Sequence, residues 1–187
     1  MTTPTHNSSA ILVIDVQVGL IQGERPVHAG PAVVTRIRTL TDRARQAGVP
    51  IFYLQDVDVA PPDSADWQLH PGLGAKEEDP RIRKDYSDSF FHTDLDEQLR
   101  KRGVSRLVVC GCTTDACVDM TARRAVSLGY DVVLASDAHT TTDNEFLTAP
   151  SSIAYYNLVL DGFGAEDGFG GGEHEILAQP AAEIEFA

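Results

Sequence analysis

Residues 10–14, Ala-Ile-Leu-Val-Ile, form an unbroken apolar run closed by an acid, Asp15. A run without alternation suits a strand buried on both faces, and such strands belong to parallel sheets covered by helices on each side. The pattern recurs in Val49-Pro-Ile-Phe-Tyr-Leu54, Arg106-Leu-Val-Val-Cys110 and Asp131-Val-Val-Leu-Ala135. Between the first two runs, Val33, Val34, Ile37, Leu40 and Ala44 keep helical spacing, which predicts a helix over 31–47 with Gly48 just past its end. Further helices are expected over 93–102 (Thr93 as N-cap, Gly103 closing), about 117–128 (closed by Gly129) and 147–160. A short terminal strand is expected over 182–186. Residues 56–83 read as a long irregular excursion and the Gly-rich stretch 162–172 as a loop. Alternating strands and helices define a single three-layer, doubly wound α/β domain over 1–187 with a mainly parallel sheet, residues 1–9 being flexible.

Ligands of such sheets bind outside the carboxyl ends of the strands. The sequence puts Asp15, Asp56, the 111–117 segment and Asp137 at those ends. Composition narrows the ligand. With 15 Lys+Arg against 28 Asp+Glu the net charge is −13, which excludes a phosphate-gripping face for nucleic acid and disfavours anionic membranes. The acidity serves solubility first; the alternative is that part of it, crowded into the stretch from Asp56 to Asp88, draws in a cationic small molecule. No apolar run approaches the roughly 20 residues of a membrane span. The polar start, Met1 to Ser9, lacks a signal-peptide pattern, so a cytoplasmic protein is expected.

The three cysteines, Cys110, Cys112 and Cys117, are odd in number and clustered, which fits neither a disulfide framework nor paired zinc ligands. Cys117 follows a strand and a tight turn and opens a helix. A helix N-terminus there would stabilise a thiolate and lower its pKa, and its N–H groups could hold an oxyanion. The alternative is a buried apolar cysteine. A nucleophile needs a proton acceptor. Asp15 stands where a strand opens onto the ligand edge, and Lys84 could keep that carboxylate ionised. His139 and His92 sit in no recognisable Cys/His signature. Spacing alone leaves Asp15 and Lys84 open to structural roles.

Several segments together carry a resemblance. They are Leu-Val-Ile-Asp15-Val-Gln17, Trp67-x-x-His70-Pro71, Lys84-x-x-x-x-Ser-Phe-x-x-Thr93-x-Leu95, and Val-Cys-Gly111-x-Thr-Thr-Asp115-Ala-Cys117-Val118-x-x-Thr121-Ala122. From about residue 10 to 160 the chain resembles the isochorismatase-like cysteine hydrolases, the superfamily of nicotinamidase and N-carbamoylsarcosine amidohydrolase. The resemblance implies Cys117 as nucleophile, Asp15 as general base and acid, and Lys84 as supporting cation. It also implies a cis peptide at Cys112–Thr113 and an oxyanion hole from the N–H groups of Thr113 and Cys117. Gln17, Trp67, Tyr86, Phe90 and Phe91 are expected around the substrate, Gln17 by a hydrogen bond to Asp15 or to the substrate itself. A homodimer or homotetramer follows from the same resemblance.

Nicotinamidases hold a metal through Asp-x-His; Asp56-Val-Asp58 stands here instead, so no metal and no cofactor are expected. Authentic isochorismatases cleave a vinyl ether without a cysteine, so Cys117 favours C–N hydrolysis through a thioester. Trp-x-x-His-Pro, Thr-Thr-Asp-Ala-Cys-Val-Asp and Ala-His-Thr-Thr resemble the streptothricin hydrolase branch, which opens a cyclic amide on a cationic antibiotic. Two other readings are a carbamoyl- or nicotinamide-type amidase on the same fold and a non-catalytic small-molecule-binding member.

Overall fold

The computed structural model describes residues 8–166 and 172–186. Six strands form one sheet in the order β3-β2-β1-β4-β5-β6, every neighbouring pair parallel. The strands are β1 (Ser8–Ile14), β2 (Ile51–Asp56), β3 (Arg81–Lys84), β4 (Val104–Cys112), β5 (Asp131–Thr140) and β6 (Ile176–Gln179). Among the described residues five α-helices accompany them: α1 (Val18–Gln22), α2 (Gly30–Gln46), α3 (Leu95–Lys101), α4 (Asp119–Ser127) and α5 (Ala149–Leu160).

The unbroken apolar runs are buried on both faces as their composition requires. Ile11 and Val13 of β1 join Ile37, Leu40 and Ala44 of α2 in one core layer. Leu12 and Ile14 turn the other way, toward Leu95 and Leu99 of α3 and Ala122 and Ala125 of α4. The period of two along the strand thus feeds two cores from a single run.

Successive strands step outward from β1 to β3 on one side and from β4 to β6 on the other. Strand order therefore reverses between β1 and β4, and at that reversal the loops leave the sheet in opposite directions and open a crevice. Asp15 follows β1 and the 113–118 turn follows β4, so both stand on its rim.

Four expectations need correction. Ser8 and Ser9 belong to β1, leaving only residues 1–7 of the expected flexible start, which lie outside the described residues, as do 167–171 of the Gly-rich stretch. The 56–83 excursion ends in an unexpected edge strand, β3, whose Arg-Ile-Arg-Lys alternates exposed and buried. Only Ile82 is apolar there, too little for a hydrophobic pattern to register. The terminal strand over 182–186 is absent among the described residues: Ala181–Glu183 is a 3-10 turn, and the last strand is β6. Finally, α4 begins at Asp119, after a five-residue π-turn over Thr114–Val118.

Candidate active site

Lys84 is the hub of the crevice. It ends β3, where the parallel register sets it opposite Asp56, the last residue of β2. Its ammonium is fully buried, 2.8 Å from Asp15 Oδ2 and 2.5 Å from Asp56 Oδ2. It also donates to the Tyr86 carbonyl at 3.1 Å and to Cys117 Sγ at 3.4 Å. Cys117 Sγ in turn donates to Asp56 Oδ2 at 3.8 Å. Ligand-type atoms of Asp15, Asp56 and Cys117 lie within 4.8 Å of one another, and the lysine supplies the positive charge among them. Two carboxylates, one ammonium and one thiol therefore share a pocket with water largely excluded.

Asp15 is held in an unusual way. Its backbone is left-handed, with φ +50°, a conformation non-glycine residues rarely adopt outside turns and functional sites. It is 1% exposed. Among the described residues neither of its oxygens accepts a hydrogen bond of ordinary geometry, although Oδ2 touches the ammonium. Burial raises its pKa from 3.8 to about 6, against the opposing pull of Lys84. A carboxylate with spare lone pairs and a pKa near neutrality is suited to taking and returning a proton.

Cys117 sits in the π-turn, which is closed by a bond from the Val118 N–H to the Thr113 carbonyl at 3.1 Å. Single π-turns of this kind recur at functional sites. Burial, reinforced by Asp15, raises the thiol's pKa to about 12 even though Lys84 pulls it down. This corrects the sequence-based expectation of a lowered pKa: the nearby carboxylate and the loss of solvent outweigh the helix field. At rest the site holds a thiol, an ammonium and carboxylates. Moving the proton from Cys117 to Asp15 leaves the pocket's net charge unchanged, so the transfer is best made as the sulfur attacks.

The peptide bond between Cys112 and Thr113 is cis, as the resemblance implied. Gln17 is corrected. It is fully buried and bonds neither Asp15 nor open space. Its Nε2 donates to the carbonyls of Asp56 (3.1 Å) and Trp67 (2.9 Å), and its Oε1 accepts from the Asp56 N–H at 2.9 Å. It clamps the end of β2, and thereby Asp56, in place. Asp137, expected on the ligand edge, lies elsewhere: it accepts from the Ala181 N–H and pairs with Arg36 on the α2 side.

Tyr86 and Phe91 are 46% and 44% exposed and meet edge to face at 4.6 Å, with His92 stacked on Phe91 at 3.9 Å. The Tyr86 carbonyl on Lys84 ties this cluster to the hub. Phe90, in contrast, is buried against Tyr130. The Trp67 carbonyl accepts from both Gln17 and Gln55, while its indole N–H is buried without a partner among the described residues. Sequence reasoning placed Asp56 on the ligand edge but gave it no partner and no part in the chemistry. Its strand-terminal position was the available signal, but its pairing with Lys84 depends on β3.

The doubly wound parallel sheet brings Asp15, Cys117 and the Lys84 side chain together beside its strand-order reversal. Residues 9–152 match the isochorismatase domain, and the chain belongs to that family. It is 40% identical over 139 residues to a streptothricin hydrolase of Streptomyces noursei, covering 72% of this chain and 50% of the relative. The uncharacterized isochorismatase family protein YecD of Escherichia coli O157:H7 is 35% identical over 148 residues, covering 70% and 79%. A putative isochorismatase from Burkholderia xenovorans LB400 superposes with a TM-score of 0.81 at 27% identity, covering 97% and 86%. The chain spans about half the length of the streptothricin hydrolase it matches.

Proposed function

We propose that the protein is a cysteine hydrolase that cleaves the C–N bond of an amide or lactam through a thioester. The observation that supports it most is the buried Lys84 ammonium in simultaneous contact with Asp15, Asp56 and Cys117. As Cys117 Sγ bonds to the substrate carbonyl carbon, Asp15 takes the thiol proton. The oxyanion rests on the N–H groups of Thr113 and Cys117, the positions implied by the family resemblance. The C–N bond then breaks as Asp15 returns the proton to the departing nitrogen. Water next attacks the thioester, Asp15 accepting its proton. The C–S bond breaks, the acid leaves, and the proton returns to sulfur.

The likeness to a streptothricin hydrolase, together with the acidic chain, directs the substrate class to cyclic amides that carry a positive charge. The exposed Tyr86–Phe91 pair beside Lys84 offers a face on which such a cation can lie. The test is amine or ammonia release and ring opening across α-amino-ε-caprolactam, ε-caprolactam, benzamide and nicotinamide, comparing wild type with Cys117→Ala. Turnover of the cationic lactam by wild type, lost at least 10³-fold in the variant, is the expected result. Activity surviving in Cys117→Ala overturns the nucleophile. Cleavage of the neutral amides alone overturns the cationic substrate class.

A further inference from the structure

The Ala138-His-Thr-Thr141 segment has no part in the chemistry above, yet it grips the turn that carries Cys117. β5 continues past a register shift so that His139 and Thr140 lie beside Gly111 and Cys112, at the end of β4. From there two side chains, those of His139 and Thr141 on either side of Thr140, reach across to the turn. His139 Nδ1 lies 2.8 Å from Thr114 Oγ1, and Thr141 Oγ1 donates to Asp115 Oδ1 at 2.6 Å. His139 and Thr114 are 1% and 0% exposed.

The direction of the His139 bonds follows from its other neighbour. Asn157 Nδ2 donates to the Ser136 carbonyl at 2.9 Å, which fixes the orientation of that amide. Asn157 Oδ1 therefore faces His139 Nε2 at 2.8 Å as an acceptor, and Nε2 carries the proton. Nδ1 is left bare and accepts from the Thr114 hydroxyl. Burial lowers the imidazole pKa and keeps this neutral form. The chain of bonds runs from α5 through His139 to the residue that follows the cis peptide, three positions before the nucleophile.

We infer that His139 is a positioning residue, which holds the Thr113–Val118 turn through Thr114 and so aims Cys117 at Asp15 and Lys84. The inference rests on the reading of Cys117 as nucleophile. Two substitutions separate the two halves of the imidazole. Asparagine carries an acceptor at the distance of Nδ1, and His139→Asn preserves the bond from Thr114. Glutamine reaches the position of Nε2, and His139→Gln preserves only the bond to Asn157. Thr114→Val deletes the hydroxyl at constant shape.

The measurement is the rate of iodoacetamide alkylation at each cysteine near pH 8, resolved by peptide mass spectrometry. A loosened turn takes the sulfur away from Asp15 and Asp56 and into solvent. Alkylation of Cys117 should then rise at least fivefold in His139→Gln and Thr114→Val and stay within twofold of wild type in His139→Asn. Cys110 and Cys112, both fully buried, should stay unlabelled, whereas general unfolding would label all three. On the amide turned over by wild type, kcat should fall tenfold or more in the first two variants with KM within threefold, and His139→Asn should keep most of it. Equal behaviour of His139→Asn and His139→Gln, or labelling of Cys110 and Cys112 in step with Cys117, overturns the inference. If wild type hydrolyses none of the amides, the alkylation pattern still decides the positioning role, and the proposed activity alone has failed.

Discussion

Burial of Asp15 sets a pH dependence whose sign can be worked out. Its carboxyl binds a proton more tightly folded, with a pKa of about 6, than unfolded, near 3.8. The protonated form therefore stabilises the fold fully below about pH 4, and that contribution is lost as pH rises through about 6. A displacement of this size corresponds to about 3 kcal/mol. Asp15→Asn is neutral at every pH and escapes the loss. Relative to wild type, its Tm should rise between pH 4.5 and pH 8, as followed by calorimetry. A constant difference across that range would mean that Asp15 is not desolvated as the geometry implies. Catalysis should show the opposite preference. The base is competent only when ionised, so kcat/KM should climb through an apparent pKa near 6 that belongs to the Asp15–Cys117 pair jointly. The ionisation that makes Asp15 a base is therefore one that the fold opposes.

Gly111 shows how an element can be committed to a site by one backbone position. It pairs with Ile14 in the β1–β4 register, has φ +117°, and a Cβ there would lie 2.1 Å from the Ile14 carbonyl oxygen. The clash is with backbone, so no side chain can give way. Gly111→Ala should force β4 from β1 next to Asp15, at a cost of about 3 kcal/mol or more. For a chain of this size that lowers Tm by about 10 °C, and a thermal shift under 2 °C would refute it. The buried strands and the Gly111–Cys117 motif were legible because long apolar runs and special backbone positions leave marks in sequence. β3 was not, because its pairing rests on Ile82 and on Lys84 being buried by charge partners, and a lysine reads as a surface residue. With β3 unseen, the contact of Asp56 with Lys84 had no basis. Gln17 was identified as important, but its partners are backbone groups of Asp56 and Trp67, brought near only by the fold. His139 left the same difficulty: its partners, Thr114 and Asn157, stand 25 and 18 positions away.

At the scale of the whole molecule, α5 is the element whose surroundings are least consistent with an isolated chain. Its twelve residues, Ala149–Leu160, include no Lys, Arg, Asp or Glu, in a protein whose net charge is −13. Yet Tyr155 is 54% and Leu158 75% exposed, three positions apart and so on one helix face. A helix that is apolar nearly all round belongs in an interior. Phe146 and Leu147, just before it in the chain, are 84% and 40% exposed as well. Two copies of a strongly acidic chain repel each other over most of their surface, and an uncharged face is where that repulsion is weakest. A second copy is accordingly the occupant to test, in keeping with the homo-oligomer expected from the family resemblance. Leu158→Glu with Tyr155→Glu would set like charges against each other across a symmetric contact. Sedimentation velocity should show the wild type as a dimer or larger and the double variant as a monomer, with its Tm changed by only a few degrees. Monomeric wild type at tens of micromolar would remove a second copy as the partner of this face. α5 also supplies Asn157, the far end of the bond chain to His139 and Thr114. If assembly braces α5, the monomeric variant should label faster at Cys117, and unchanged labelling would show that the turn is held within one chain.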